Sequence, residues 1–131
     1  MVVRKRRRYN DGEYQEQVAL FKWAALQAQS QPELNLLNAS LNGVRLSMRQ
    51  AGRMKASGMK RGYPDIFLPV ARGPFHGLFI ELKVGKNKTS EYQDAWLEAL
   101  TEQNYLAVVC WGWEAAMREI MGYLRGDGDD Y

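Results

Sequence analysis

Three rhythms of apolar and polar positions run along this chain, and each change of rhythm marks an element. Tyr14, Val18, Phe21 and Ala25 recur at helical spacing and predict a helix over about residues 12–29, with Asp11 as its N-cap. Pro32 breaks it. Residues 34–41 predict a strand, and Asn42-Gly43 then supplies a turn. Residues 48–56 predict a short helix ended by Gly58. Two apolar runs, at about residues 65–70 and 77–83, predict strands that Arg72-Gly73-Pro74 joins into an antiparallel hairpin. Tyr92, Ala95, Trp96, Ala99 and Leu100 predict one apolar face of a helix over about residues 90–103. A buried strand at about 105–111 follows, then a helix at about 113–124 with Ala116, Ile120 and Leu124 spaced four apart.

This order implies an α/β fold, a mixed sheet flanked by helices. The strand–helix–strand unit over residues 77–111 should cross over right-handedly and so pair its two strands in parallel.

Charges interrupt the two central apolar runs. Asp65 precedes Ile66-Phe67-Leu68, and Glu81 stands between Leu78-Phe79-Ile80 and Leu82. Such charges are costly unless compensated. Alternation along a strand points Glu81 and Lys83 the same way, with Ile80 and Leu82 on the other face. If Asp65 ends a neighbouring strand, its carboxylate reaches that of Glu81. A Mg²⁺ between them would remove their repulsion. A structural Glu81–Lys83 pair with Asp65 in a turn is the competing reading, and spacing leaves both open.

Pro64-Asp65 and Glu81-X-Lys83 have the form of the PD-(D/E)XK nuclease signature. More of the chain resembles one branch of that superfamily, the VRR-NUC domain (virus-type replication-repair nuclease). The resembling pieces are Glu13-Tyr14-Gln15-Glu16-Gln17 through Trp23, Leu41-Asn42-Gly43, Gly58 through Asp65, Gly77 through Lys83, Ser90 with Gln93, and Gly112-Trp113. They occur in family order over nearly the whole chain. The resemblance implies a restriction-endonuclease-like αβββαβ core and metal-dependent hydrolysis of DNA. It implies that Glu13, Asp65 and Glu81 hold one or two Mg²⁺ or Mn²⁺ ions, that the Leu82 backbone carbonyl completes the sphere, and that Lys83 orients water or neutralises charge. It also places Gln93 beside the active site. Glu13 and Glu16 compete for the helical position, and the distance to Trp23 favours Glu13. For Gln93 the competing role is structural, since Ser90-Glu91-Tyr92-Gln93 is a capping box.

Composition narrows the picture further. The chain has 131 residues, 46% hydrophobic and 25% charged, which suits one globular domain over 1–131. A net charge of +3 suggests a polyanionic partner. The single Cys110 excludes an intrachain disulfide and a cysteine-rich zinc site, and its apolar neighbours make it a core residue. His76 reads as a surface residue. No apolar stretch approaches the ~20 residues that span a membrane, and no secretory signal is visible, so no membrane partner and a cytoplasmic location are expected. Residues 126–131 read as a flexible acidic tail. The Trp and Tyr residues fall mainly at core-type spacing, and pattern gives no support for base stacking. Arg45, Arg49, Arg53, Lys55, Lys60 and Arg61 precede the motif aspartate, and Lys86 and Lys88 follow the motif lysine. These are candidate DNA-backbone contacts, a solvated helix face being the alternative.

Stand-alone phage and bacterial relatives of this kind imply a homodimer that cuts branched DNA such as Holliday junctions, two sites on one two-fold axis. A sequence-specific restriction-type endonuclease and a non-catalytic DNA-binding module remain open. The basic run within residues 1–10 is expected to add non-specific phosphate contacts. Removing residues 1–8 should weaken DNA binding uniformly and flatten its salt dependence, as a titration across salt concentrations would read; an unchanged slope would make the run a bystander.

Overall fold

The computed structural model describes residues 11–40 and 46–126. The expectations for the basic run, Leu41-Asn42-Gly43, Arg45 and residues 127–131 lie outside the described residues. The elements run α1 (Asp11–Gln27), a 3₁₀ helix (Pro32–Leu36), β1 (Asn38–Ala39), α2 (Met48–Ala56), β2 (Ile66–Leu68), β3 (Leu78–Lys83), α3 (Glu91–Glu102), β4 (Leu106–Trp111) and α4 (Trp113–Arg125). The four strands form one sheet in the order β1-β2-β3-β4, antiparallel except for the parallel β3–β4 pair. This is a mixed sheet flanked by helices, a restriction-endonuclease-like α/β fold. Among the described residues no helix is long and apolar enough to cross a membrane.

β3 is the spine. All six of its residues are buried, so its two faces can be assigned to different tasks. Leu78, Ile80 and Leu82 join Leu20 and Ala24 of α1 and Ala116, Ile120 and Tyr123 of α4 in the main core. Phe79, Glu81 and Lys83 occupy the other face. There Phe79 stacks on Phe67, with centroids 4.2 Å apart and planes 9° apart, and meets Tyr105 and Tyr63 edge-on at 5.2 and 5.7 Å. Tyr123 donates its hydroxyl to the Val70 carbonyl, and Arg72 bonds Glu33 at 2.8 Å and the Leu124 carbonyl at 3.1 Å. These contacts lock the β2–β3 connection against α4.

Several expectations need correction. The strand expected over 34–41 is a 3₁₀ helix begun by Pro32 and a two-residue strand, because Pro fixes a helical φ at a first turn. α1 starts at Asp11 itself and ends at Gln27. Of the expected inward stripe, Val18 and Phe21 are half-buried, Phe21 packing against the core, but Tyr14 and Ala25 face out. Tyr14 is 67% exposed and Ala25 is exposed, while Leu20 and Ala24 are buried and Glu13, Glu16 and Gln17 are half-buried above them. The stripe turns acidic towards the N-terminus, so the apolar period misleads by one position. α3 behaves similarly. Gln93, Trp96, Leu97 and Leu100 face inward, whereas Tyr92, Ala95 and Ala99 are exposed. α2, the hairpin, the parallel strand pair and α4 lie where expected.

Gly62 fixes the approach to β2. Its φ is +87°, and a Cβ there would stand 2.6 Å from the Tyr92 carbonyl carbon. Gly62→Ala therefore combines left-handed strain with a backbone clash and should cost about 2–4 kcal/mol, read as a lowered midpoint in denaturant. Burial, and secondarily the charge of Glu119, pushes the Cys110 thiol up to about 12 from its ordinary 9.0. An aromatic disulfide reagent should thus leave native Cys110 unmodified at mildly alkaline pH and label it at once in denaturant; rapid native labelling would contradict its burial.

Candidate active site

The sheet register assembles the site. Ile66 pairs with Ile80 in an antiparallel ladder, so the next step sets Asp65 opposite Glu81. Ala39 pairs with Ile66, which sets Ser40 beside Asp65 on the other side. The Ser40 N–H donates to the Asp65 carbonyl at 2.8 Å, and its hydroxyl to the Pro64 carbonyl at 2.8 Å. Asp65 is thereby held by its backbone on one flank. On the other, its Oδ2 accepts the Leu82 N–H at 2.9 Å. The row Ser40–Asp65–Glu81 crosses the sheet just beyond the Phe67–Phe79 stack, towards the C-terminal end of the parallel strands β3 and β4.

Asp65, Glu81 and Lys83 are 8%, 1% and 8% exposed. Burial drives the Glu81 carboxyl far above the usual carboxylate range. The hydrogen bond with Asp65, the charge of Asp65 and the charge of Glu13 push the same way, and Lys83 opposes them. Glu81 Oε2 is buried with no hydrogen-bond partner. Glu13 is also raised, chiefly by burial, with Lys83 lowering it, Asp65 raising it and a hydrogen bond from the Asn87 side chain lowering it. These couplings put Glu13 in the electrostatic neighbourhood of Asp65, Glu81 and Lys83. Glu16 lies elsewhere, its Oε1 3.4 Å from where a Cβ on Gly112 would stand.

The acids do not close into a ready cage. Among the described residues, no three His, Cys, Asp or Glu side chains converge as a set that could hold a metal ion by themselves. Asp65 and Glu81 are in hydrogen-bond contact, and Glu13 acts on them through its charge. Two carboxylates are the number that Mg²⁺ ordinarily takes, with water and phosphate oxygens filling the octahedron. A partnerless buried Oε2 beside a second carboxylate is a donor set that suits a hard divalent cation. The residues present fit Mg²⁺ or Mn²⁺.

Gln93 has its structural role. Its Oε1 accepts the Ser90 N–H at 2.9 Å while its own N–H donates to Ser90 Oγ at 3.2 Å. Only its amide NH₂ remains for a substrate. Arg53, Lys55, Lys60, Arg61, Lys86 and Lys88 are all exposed, as phosphate contacts must be. Arg53 and Lys55 end α2, and Arg61 lies over the Tyr92 ring at 4.3 Å. Sequence reasoning passed over Asn87 and Ser40. Asn87 stands between the two lysines of the loop after β3, where no periodicity marks it, and Trp111 Nε1 pins its carbonyl at 2.8 Å. Ser40 acts through a bond that only strand pairing reveals.

Comparisons with known proteins identify the family. No curated protein matches the chain. A solved structure described as a VRR_NUC domain protein matches with a TM-score of 0.73 and 30% sequence identity, covering 86% of this chain and 88% of its own. The model of the VRR-NUC domain family matches residues 5–113, which take in every residue of the site just described. With most of its length matched, the chain belongs to the VRR-NUC family of nuclease domains.

Proposed function

We propose that this protein is a Mg²⁺- or Mn²⁺-dependent DNA endonuclease that hydrolyses phosphodiester bonds in branched DNA such as four-way junctions, acting as a homodimer. One observation carries the reading: the buried Asp65–Glu81 pair, with Glu81 Oε2 partnerless and a buried lysine two residues on. A structural pair would have satisfied that oxygen, because an unpaired buried acceptor costs about 1–3 kcal/mol.

Asp65 and Glu81 would hold the cation, Glu13 would add charge and a water-mediated contact, and the Leu82 carbonyl would complete the sphere. When bound, the ion supplies Lewis-acid polarisation of the phosphate and a more acidic water. Lys83 would align the attacking water and offset charge building on the phosphate oxygens as one P–O bond breaks. The Leu82 N–H keeps the Asp65 carboxylate in one orientation, and Asn87 does the same for Glu13. Lys60 and Arg61 on one side and Lys86 and Lys88 on the other would hold the DNA backbone. The Gln93 NH₂ would serve as a weaker contact beside the scissile group. Two copies related by a two-fold axis would suit paired incision of a symmetric junction.

Asp65→Asn and Glu81→Gln should each lower cleavage of a synthetic four-way junction by about 100-fold or more while leaving junction affinity equal or higher. Lys83→Ala should lower the rate on the order of 100-fold yet keep metal binding. Binding is read without turnover as a Mn²⁺-dependent rise in melting temperature, roughly 5–10 °C at a hundredfold excess over Kd, abolished by EDTA and missing in Asp65→Asn. Cleavage by Glu81→Gln at the wild-type rate would remove the carboxylate pair from the mechanism. Cutting of linear duplex at one fixed sequence would instead favour the restriction-type reading.

A further inference from the structure

Beside the carboxylate row lies a pocket of about 390 Å³ that the reaction above does not use. Met54 of α2, Met59, Tyr63 and Trp96 of α3 form its apolar walls, and Ser40, Gly58 and Lys60 complete the lining. Its volume falls in the range of small-molecule sites. We propose that it receives one unstacked nucleobase of the strand whose phosphate lies at Asp65 and Glu81; the identity of that polymer rests on the nuclease reading above.

Three features select this occupant. The first is chemistry. Tyr63 and Trp96 meet edge to face at 5.1 Å, and two thioethers accompany them, a lining suited to the π-face of a flat ring. The Trp96 indole N–H is committed to the Arg61 carbonyl at 3.1 Å, which leaves its ring rather than its donor for a ligand. Such a site holds any base without reading its edges. The second is position. Ser40 lines the pocket and bonds the Asp65 and Pro64 carbonyls, while Tyr63 is two residues before Asp65. Pocket and carboxylates therefore share Ser40 and the segment that leads from Tyr63 to Asp65. The third is charge. An apolar interior lined by Lys60, with the exposed Arg53, Lys55 and Arg61 close in sequence to its lining residues Met54 and Lys60, complements a base flanked by phosphates.

The pocket supplies a physical basis for choosing structure over sequence. Flipping a paired base costs a few kcal/mol, whereas a base at a branch point is already free to enter.

Junctions carrying a single abasic residue at each successive position around the branch point test this. Affinity is read by fluorescence anisotropy in EDTA with wild-type protein, and cleavage of the intact junction is followed in parallel with Mn²⁺. One or two adjacent positions should weaken binding about 5- to 150-fold when the base is missing. Met59→Trp, which fills the pocket, should lose a similar factor on intact DNA and become indifferent to the abasic site; Met54→Trp serves if that variant does not fold. A flat scan with wild-type protein overturns the pocket whatever the variants do. Cleavage with a flat scan sinks the pocket alone, and a position-dependent scan without cleavage sinks the hydrolase alone.

Discussion

The Glu81 carboxyl, 1% exposed in the middle strand pair, is the constraint around which the molecule is arranged. A lone buried carboxylate loses several kcal/mol of solvation, and the response in proteins is a raised pKa and a shared proton. Glu81 has the raised pKa, driven first by burial and then by Asp65, while Lys83 pulls the other way. The pair is stable enough to exist and poorly enough satisfied to welcome a cation. One Glu81 oxygen is left without a partner, and in the proposed function a cation would compensate it.

Such a site survives because the opposite face of the same strand is wholly apolar. Leu78, Ile80 and Leu82 pack among residues of α1 and α4, and each buried aliphatic side chain contributes roughly 1.5–3 kcal/mol. Three of them outweigh one strained carboxylate. The alternation of a single strand thus separates stability from chemistry, and the residue between Ile80 and Leu82 can be costly without unfolding the sheet. Aromatic stacking of Phe67 on Phe79 then fixes the ladder register two pairs short of Asp65 and Glu81, on the same face. A slip of either strand by one residue would put the two acids on opposite faces of the sheet.

Where the sequence was legible, local and long-range signals agreed. The Glu-X-Lys spacing, the capping box at Ser90, the Asp65 step before an apolar run and the four-spaced residues of α4 all pointed to what the structure contains. Errors arose where function displaced hydrophobicity. α1 turns Glu13, Glu16 and Gln17 inward above Leu20 and Ala24, so its true inner stripe carries acids that a search for apolar period rejects. Gln93 on α3 misleads in the same way. α1 does end before Pro32, but a first-turn proline also begins the 3₁₀ helix that stands where a strand over 34–41 is expected. Ser40 and Asn87 were invisible because their partners, the Pro64 and Asp65 carbonyls and the Glu13 carboxylate, come from distant stretches of chain.

The loop over residues 58–64 joins these themes. Its exposed end is basic, its inner wall is aromatic, and its last residue precedes Asp65. Trp96 holds the Arg61 carbonyl, Gly62 lies flat against Tyr92, and Ser40 holds Pro64. Two of these ties are to α3 and the third is to the residue after β1, so the segment is held from both sides. A binding surface and a metal-ligand candidate on the same rigid segment cannot move independently, and whatever aligns a strand in the first is presented to the second in fixed register. Positioning of this kind removes entropy from the reaction before chemistry begins.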